Sequence, residues 1–197
     1  MTSTTDFDPD DVPSIVRYET LSGARRAVAD DAIDRIFFAA SSVQSFRDAR
    51  ARAAFRWLWL GRYLAEEPEH AFVALSGATL CGYLVGSLAD PAPRWEFREL
   101  SYFSDFAAET ARFPAHLHIN VDEGARGHGV GARLVERFAA HAAACGSAGL
   151  HVVTGAGMRN VGFYERLGFR EVARAPRNGG TVVMLARGLG PADSAGA

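Results

Sequence analysis

The chain of 197 residues has no lysine; all 21 of its basic residues are arginine. That excludes chemistry that depends on an amine side chain: a Schiff base, a lysine general base, and the lysine of a Walker phosphate loop. The absence accompanies a chain rich in alanine and glycine, the pattern that codon bias leaves. Cysteine is nearly absent too. Cys81 and Cys145 are too few for a disulfide framework, and their apolar neighbours predict two small buried thiols. No apolar run is long enough to span a membrane. Neither sign of charge is in excess, since 21 basic against 23 acidic residues leave a net charge of −2. A dedicated nucleic-acid binder normally carries a basic surplus, so that class is not expected. The stretch from Met1 to Asp11 is polar and acidic, the opposite of a secretion signal, and a cytoplasmic protein is the expectation.

What is present suits one folded domain. Hydrophobic residues make up 48% of the chain and charged residues 22%, enough apolar content for a sizeable core. The polar start (1–12) and the small-residue end (188–197) predict flexible termini around one domain, 13–187. Within it, alternation predicts a strand over 14–19, and helical spacing of Val28, Ile33, Ile36 and Phe37 predicts a helix over 24–40. A longer arginine-rich helix is predicted over 45–64. A hairpin follows, with strands at 71–75 and 79–88 and a turn at Ser76-Gly77. Residues 89–114 are rich in proline, aromatics and charge; they predict irregular chain with a short helix over 104–111. Strands over 116–121 and 150–154 flank a helix over 129–145. A short helix over 161–167, closed by Gly168, leads to a last strand pair at 169–173 and 181–185. Mixed strands and helices around one core make the fold α/β, or α+β.

The stretch that carries chemistry is His116-Leu-His-Ile-Asn-Val121, then Asp122 to Ala125, then Arg126-Gly-His-Gly-Val-Gly-Ala132. A strand runs into a glycine-rich turn that opens a helix. Such a turn exposes backbone amides with the positive end of the helix dipole behind them, a cradle for phosphate or pyrophosphate. Arg126 adds a charge-assisted contact. The same glycines would also serve tight strand–helix packing alone. Gly127, Gly129 and Ala132 fit the letter of the dinucleotide fingerprint. The next strand, however, ends in Thr154 and Gly155 rather than in the acid that holds a ribose.

The arginine–glycine run resembles motif A, Q/R-x-x-G-x-G/A, of the GNAT superfamily of acetyl-CoA-dependent N-acetyltransferases. Asn160-Val-Gly-Phe-Tyr-Glu-Arg-Leu-Gly-Phe169 resembles that family's motif B, and the order and spacing of the two agree. The resemblance covers roughly residues 70–187. It implies a mostly antiparallel twisted sheet flanked by helices, with splayed central strands. It further implies that coenzyme A pyrophosphate rests on Arg126, Gly127, His128, Gly129, Val130 and Gly131, with Ala132 close behind. The pantetheine arm then runs along Ile119, Asn120 and Val121, and Asn160, Phe163 and Tyr164 of the second motif also meet the cofactor. Tyr164 matches the tyrosine that protonates the departing thiolate, a task a phenol performs without a metal. The same residue would also serve as an aromatic packing the short helix.

Two departures stand out. Gly157 occupies a place where other members carry asparagine, and Glu123 stands where many have proline. Asp122 and Glu123 beside the turn weaken pyrophosphate binding unless they point away, and they can instead face an acceptor amine.

The resemblance implies an acceptor that is a small-molecule or peptide amine, and a homodimer is a fair expectation for the fold. His116 and His118 alternate onto one face of their strand. They read as a polar lining of the acceptor pocket or as hydrogen-bonded structural histidines; His118 is the stronger acceptor candidate. No third ligand accompanies them, so no metal is expected. Glu96, Glu99, Asp105, Asp122 and Glu123 are further candidates for the base. Trp57, Trp59 and Tyr63 lie on the long helix, where Trp57 and Trp59 cannot share a face. Pro114-Ala-His-Leu-His-Ile119 also resembles a subgroup related to the acetyltransferase-like domain of O-GlcNAc hydrolases. Some such domains are inactive, so a binding module on the same fold stands as the alternative function.

Overall fold

The computed structural model describes residues 7, 11–177 and 179–190. The loose ends expected from the sequence fall largely outside these residues. Inside them, Asp11 already accepts a hydrogen bond from Ser76 Oγ (2.7 Å), and Gly188 belongs to the last strand.

Seven strands form one sheet: β1 (Ser14–Arg17), β2 (Phe72–Ser76), β3 (Thr79–Ser87), β4 (Ala115–Val121), β5 (Gly149–Gly155), β6 (Arg170–Arg177) and β7 (Gly180–Gly188). They hydrogen-bond in the order β1-β2-β3-β4-β5-β7-β6. The β1–β2, β2–β3, β5–β7 and β6–β7 pairs are antiparallel; β4 and β5 are parallel, with Ala115 opposite Leu150 and His116 opposite His151. The helices are α1 (Gly23–Ala40), α2 (Ala49–Arg56), α3 (Arg62–Glu66), α4 (Tyr102–Asp105), α5 (Ala107–Arg112), α6 (Val130–Ala144) and α7 (Arg159–Arg166). This is the mixed, mostly antiparallel fold that the sequence predicts.

The chain divides into two compact units, Met1–Gly86 with His118–Phe138, and Ser87–Leu117 with Ala139–Ala197. The first is built on Ile33, Ile36 and Phe37 of α1, Leu60, Phe72, Tyr83 and Leu84, and Leu134, Val135 and Phe138 of α6, all buried. Each such side chain contributes about 1.5–3 kcal/mol through burial. Gly82 lets β3 come close to its neighbours: a Cβ there would stand 3.3 Å from the Asn120 carbonyl oxygen and from Val130 Cγ1. The second unit packs Phe97, Leu100, Phe103 and Phe106 with Leu150, Val152, Tyr164, Phe169 and Met184. Three aromatics of the 89–114 stretch are thus core residues, while Trp95 is 69% exposed.

Several boundaries differ from the sequence reading, each for a local reason. The first strand stops at Arg17, because Tyr18 turns into a 3-10 turn and donates its hydroxyl proton to Asp30 Oδ1 (2.6 Å). The long helix starts at Ala49 rather than Ser45. Asp48 caps it, accepting from the Ala51 amide at 2.7 Å. It runs to Glu66 through a π-helical turn, Trp57–Gly61, in which the Arg62 amide donates to the Trp57 carbonyl five residues back. Val28 does not join the buried face of α1; it is 63% exposed. Cys81 is buried as predicted, but Cys145 is exposed because α6 ends at Ala144 and leaves it beyond the packed face.

Candidate active site

In the first unit, β4 delivers Val121 to a short 3-10 turn, Glu123–Ala125, and the chain then enters α6 at Val130. Asp122 holds this passage. Its amide donates to the Cys81 carbonyl (2.9 Å), and its Oδ1 accepts from the Gly124 amide (3.2 Å). Its Oδ2 takes a 2.7 Å hydrogen bond from Arg35 Nη1 of α1. Of the two acids that precede the glycine turn, Asp122 is therefore engaged with α1 and its own turn, and Glu123 is exposed.

Gly127 and Gly129 have φ of +87° and +78°, a left-handed conformation that L side chains rarely adopt. A Cβ on either would meet no atom of the described residues within 4 Å, so the demand for glycine is conformational. Gly131 lies within α6. Arg126 Nε donates to the Val121 carbonyl (3.1 Å) and stays exposed. His128 is exposed as well, its Nδ1 3.1 Å from the Arg126 carbonyl and its ring beside Phe7. Val130 is buried beneath the turn and Ala132 half-buried behind it. An amide-rich turn at the head of a 15-residue helix is a geometry that can hold a phosphate or pyrophosphate without any lysine.

On β4, Ile119, Asn120 and Val121 are half-buried and lie outside the two-pair ladder with β5. Asn120 donates its side-chain amide to the Tyr83 hydroxyl (2.8 Å), and burial raises the Tyr83 phenol above its ordinary pKa. His118 is half-buried against two aromatic edges: Trp59 at 5.3 Å between ring centroids and Tyr63 at 5.4 Å. The separation of the two tryptophans predicted from spacing holds, since Trp57 is exposed and Trp59 meets His118. Asp34 of α1 and Arg56 of α2 form a tight ion pair (2.7 Å) in the same unit.

In the second unit, α7 carries the other motif. Thr154 Oγ1 of β5 donates to Asn160 Oδ1 (2.9 Å), tying the first turn of α7 to the strand. Gly157, before that turn, has φ +74°. Tyr164 is buried between Phe163 (5.0 Å) and Phe169 (5.3 Å). Among the described residues nothing hydrogen-bonds its hydroxyl, and burial alone raises its pKa, so it is protonated at neutral pH. His116 is also in this unit, buried among Phe97 (4.9 Å), Phe103 (5.4 Å) and the His151 ring. Its neighbours are core aromatics, whereas His118 stands with the aromatics of the long helix. The sequence reading misses Arg35 and Tyr83: neither lies in a motif, and only the folded contacts with Asp122 and Asn120 single them out. Among the described residues no group of three or more His, Cys, Asp or Glu side chains is placed to hold a metal ion. No helix of these residues is long and apolar enough to cross a membrane.

Comparison with known proteins identifies the family and the fold. The profile of the acetyltransferase (GNAT) family matches residues 31–169. The crystal structure of SsHAT superposes with a TM-score of 0.69 at 27% identity, covering 91% of this chain and 99% of that one. A Drosophila melanogaster polyamine N-acetyltransferase, which forms N-acetylagmatine, superposes at 0.63 with 15% identity over 89% of this chain and all of its own. The Escherichia coli ribosomal-protein-S18-alanine N-acetyltransferase does so at 0.53 with 16% identity, over 93% and 98%.

Proposed function

The chain belongs to the GNAT family of acetyltransferases, and from that membership we propose that it moves an acetyl group from acetyl-CoA to a primary amine by direct attack, with Tyr164 as the general acid. The observation that carries this reading is the turn Arg126–Gly131. Two left-handed glycines open their amides at the head of α6, with Arg126 exposed beside them. Ile119, Asn120 and Val121 would pair with the amide-rich pantetheine arm, and Asn160 and Phe163 would flank it, as the family resemblance implies.

The bond made is between the acceptor nitrogen and the acetyl carbonyl carbon; the bond broken joins that carbon to sulfur. The thiolate then needs a proton. Tyr164 holds one at neutral pH, because burial disfavours its phenolate, and can give it up to the sulfur. The attacking nitrogen must shed a proton too. His118, on the strand that leads into the turn, is the group proposed to receive it directly or through water, with Trp59 and Tyr63 forming the walls beside it. A small-molecule or peptide amine fits this aromatic setting. His116, buried in the second unit, takes a structural part in this scheme, and Glu123 is left to the rim.

The test is direct. Acetyl-CoA should raise the melting temperature by mass action, and NAD(P) should not. Release of free thiol in a panel of amines should then identify the acceptor. Stabilisation by acetyl-CoA without turnover on any amine points instead to an acyl-CoA-binding module; no stabilisation by any coenzyme A species removes the site altogether.

A further inference from the structure

Resting on the coenzyme A cradle proposed above, we propose that Arg35 is a positioning residue for that cradle. Through Asp122, it keeps a carboxylate turned away from the bound pyrophosphate.

Asp122 stands four residues before Arg126, at the mouth of the glycine turn. Its main chain is fixed by the Cys81 carbonyl, so the residue itself cannot withdraw. What can move is the carboxylate. One oxygen is held by the Gly124 amide and the other by Arg35, at 2.7 Å, from a helix 87 residues away in sequence. The Asp122 side chain is only 15% exposed, so its charge is poorly screened, whereas Arg35 is 50% exposed. An unpaired carboxylate at this place repels a pyrophosphate with more than one negative charge. The pair therefore does more than an exposed ion pair, whose contribution to stability is small. It solves a problem that the sequence poses, an acid directly before an anion cradle, by pairing that acid with a cation from α1.

The experiment is a double-mutant cycle read by calorimetric titration of the full chain with acetyl-CoA. Arg35→Met should weaken binding about three- to tenfold, with a melting temperature near that of the wild type. Asp122→Asn keeps the side-chain oxygen that caps the turn and should bind at least as tightly as wild type. The double variant Arg35→Met/Asp122→Asn should recover wild-type affinity, and the Arg35→Met defect should shrink at high salt. Wild-type affinity in Arg35→Met, or a double variant as weak as the single, would overturn the proposal, because a purely structural role predicts no recovery. If Arg35→Met fails to fold, Arg35→Gln in the same cycle carries the test. A wild type that binds no acetyl-CoA strikes the cradle itself, and so separates failure of the functional reading from failure of this one.

Discussion

His116 and His151 stand opposite each other in the parallel ladder of β4 and β5 and stack, with ring centroids 5.5 Å apart and planes 28° from parallel. Both are buried, and His151 Nδ1 donates to the Phe113 carbonyl. Since a carbonyl only accepts, the proton is on Nδ1 and the buried Nε2 of His151 is bare, with no partner among the described residues.

That arrangement sets an acid limit on stability. Desolvation lowers the His151 pKa from 6.5 to about 4, against the opposing Phe113 hydrogen bond and the charge of Asp90. Between those values the unfolded chain binds a proton that the folded chain does not. Stability from this residue is therefore full above about pH 6.5 and falls as pH drops through about 4, by on the order of 3 kcal/mol in all. Denaturant midpoints measured from pH 7 to pH 4 should show this slope. His151→Asn keeps a donor for the Phe113 carbonyl and cannot be protonated, so its slope should be shallower.

Tyr164→Phe separates chemistry from folding. No group among the described residues hydrogen-bonds the hydroxyl, so its removal should leave the melting temperature within a degree or two. Acetyl-CoA affinity should also persist. Turnover should drop by about 10²- to 10⁴-fold, the usual worth of a general acid. Unchanged turnover under steady-state assay excludes Tyr164 from that role.

Gly129→Ala tests the backbone argument. No atom of the described residues lies within 4 Å of a Cβ there, but the residue sits at φ +78°, so the cost is conformational, about 1–2 kcal/mol. A lower melting temperature together with a smaller shift on adding acetyl-CoA is the expected pair of readings. Gly124→Ala, in the preceding turn but not at positive φ, should keep the full ligand shift.

Trp59→Leu should act on the acceptor and spare the coenzyme. Its ring meets the ring of His118 at 5.3 Å. Steady-state kinetics should give a raised KM for the amine, and calorimetry an unchanged affinity for acetyl-CoA. An equal loss in both would move Trp59 from the acceptor wall to general support of the fold.

The parts of this protein legible in its sequence are the ones written locally. The Arg126–Ala132 turn and the Asn160–Phe169 segment carry their geometry in consecutive residues, so both the glycine turn and the helix after it could be read off in order. The burial of Leu134, Val135, Phe138 and Ala142 follows from helical spacing in the same way. Long-range partners were not legible. Arg35 looks like any exposed helical arginine until the fold sets it on Asp122. His116 and His118 look alike by alternation, yet one stacks on a histidine of β5 and the other meets two rings of the long helix. Spacing also put Val28 on a buried face, and apolar neighbours did the same for Cys145, because neither signal shows where a helix ends or which side its neighbours cover.

The π turn at Trp57–Gly61 sets the phase of the rod it interrupts. In an unbroken α-helix, Arg56 and Tyr63, seven residues apart, would point almost the same way. One extra residue in the turn offsets everything after it by roughly 100° relative to what precedes. The first half can then keep Arg56 on Asp34 while the second half brings Tyr63 to His118. Gly61 leaves room for the side chains of the preceding turn, since a Cβ there would come within 3.1 Å of the Arg56 guanidinium and 3.2 Å of the Trp57 ring. A single codon thus acts as a gear tooth: deleting it would restore a regular helix with Tyr63 still in its present phase relative to Arg56, whereas winding the full sequence as unbroken α-helix would rotate the tyrosine by roughly 100° away from the histidine.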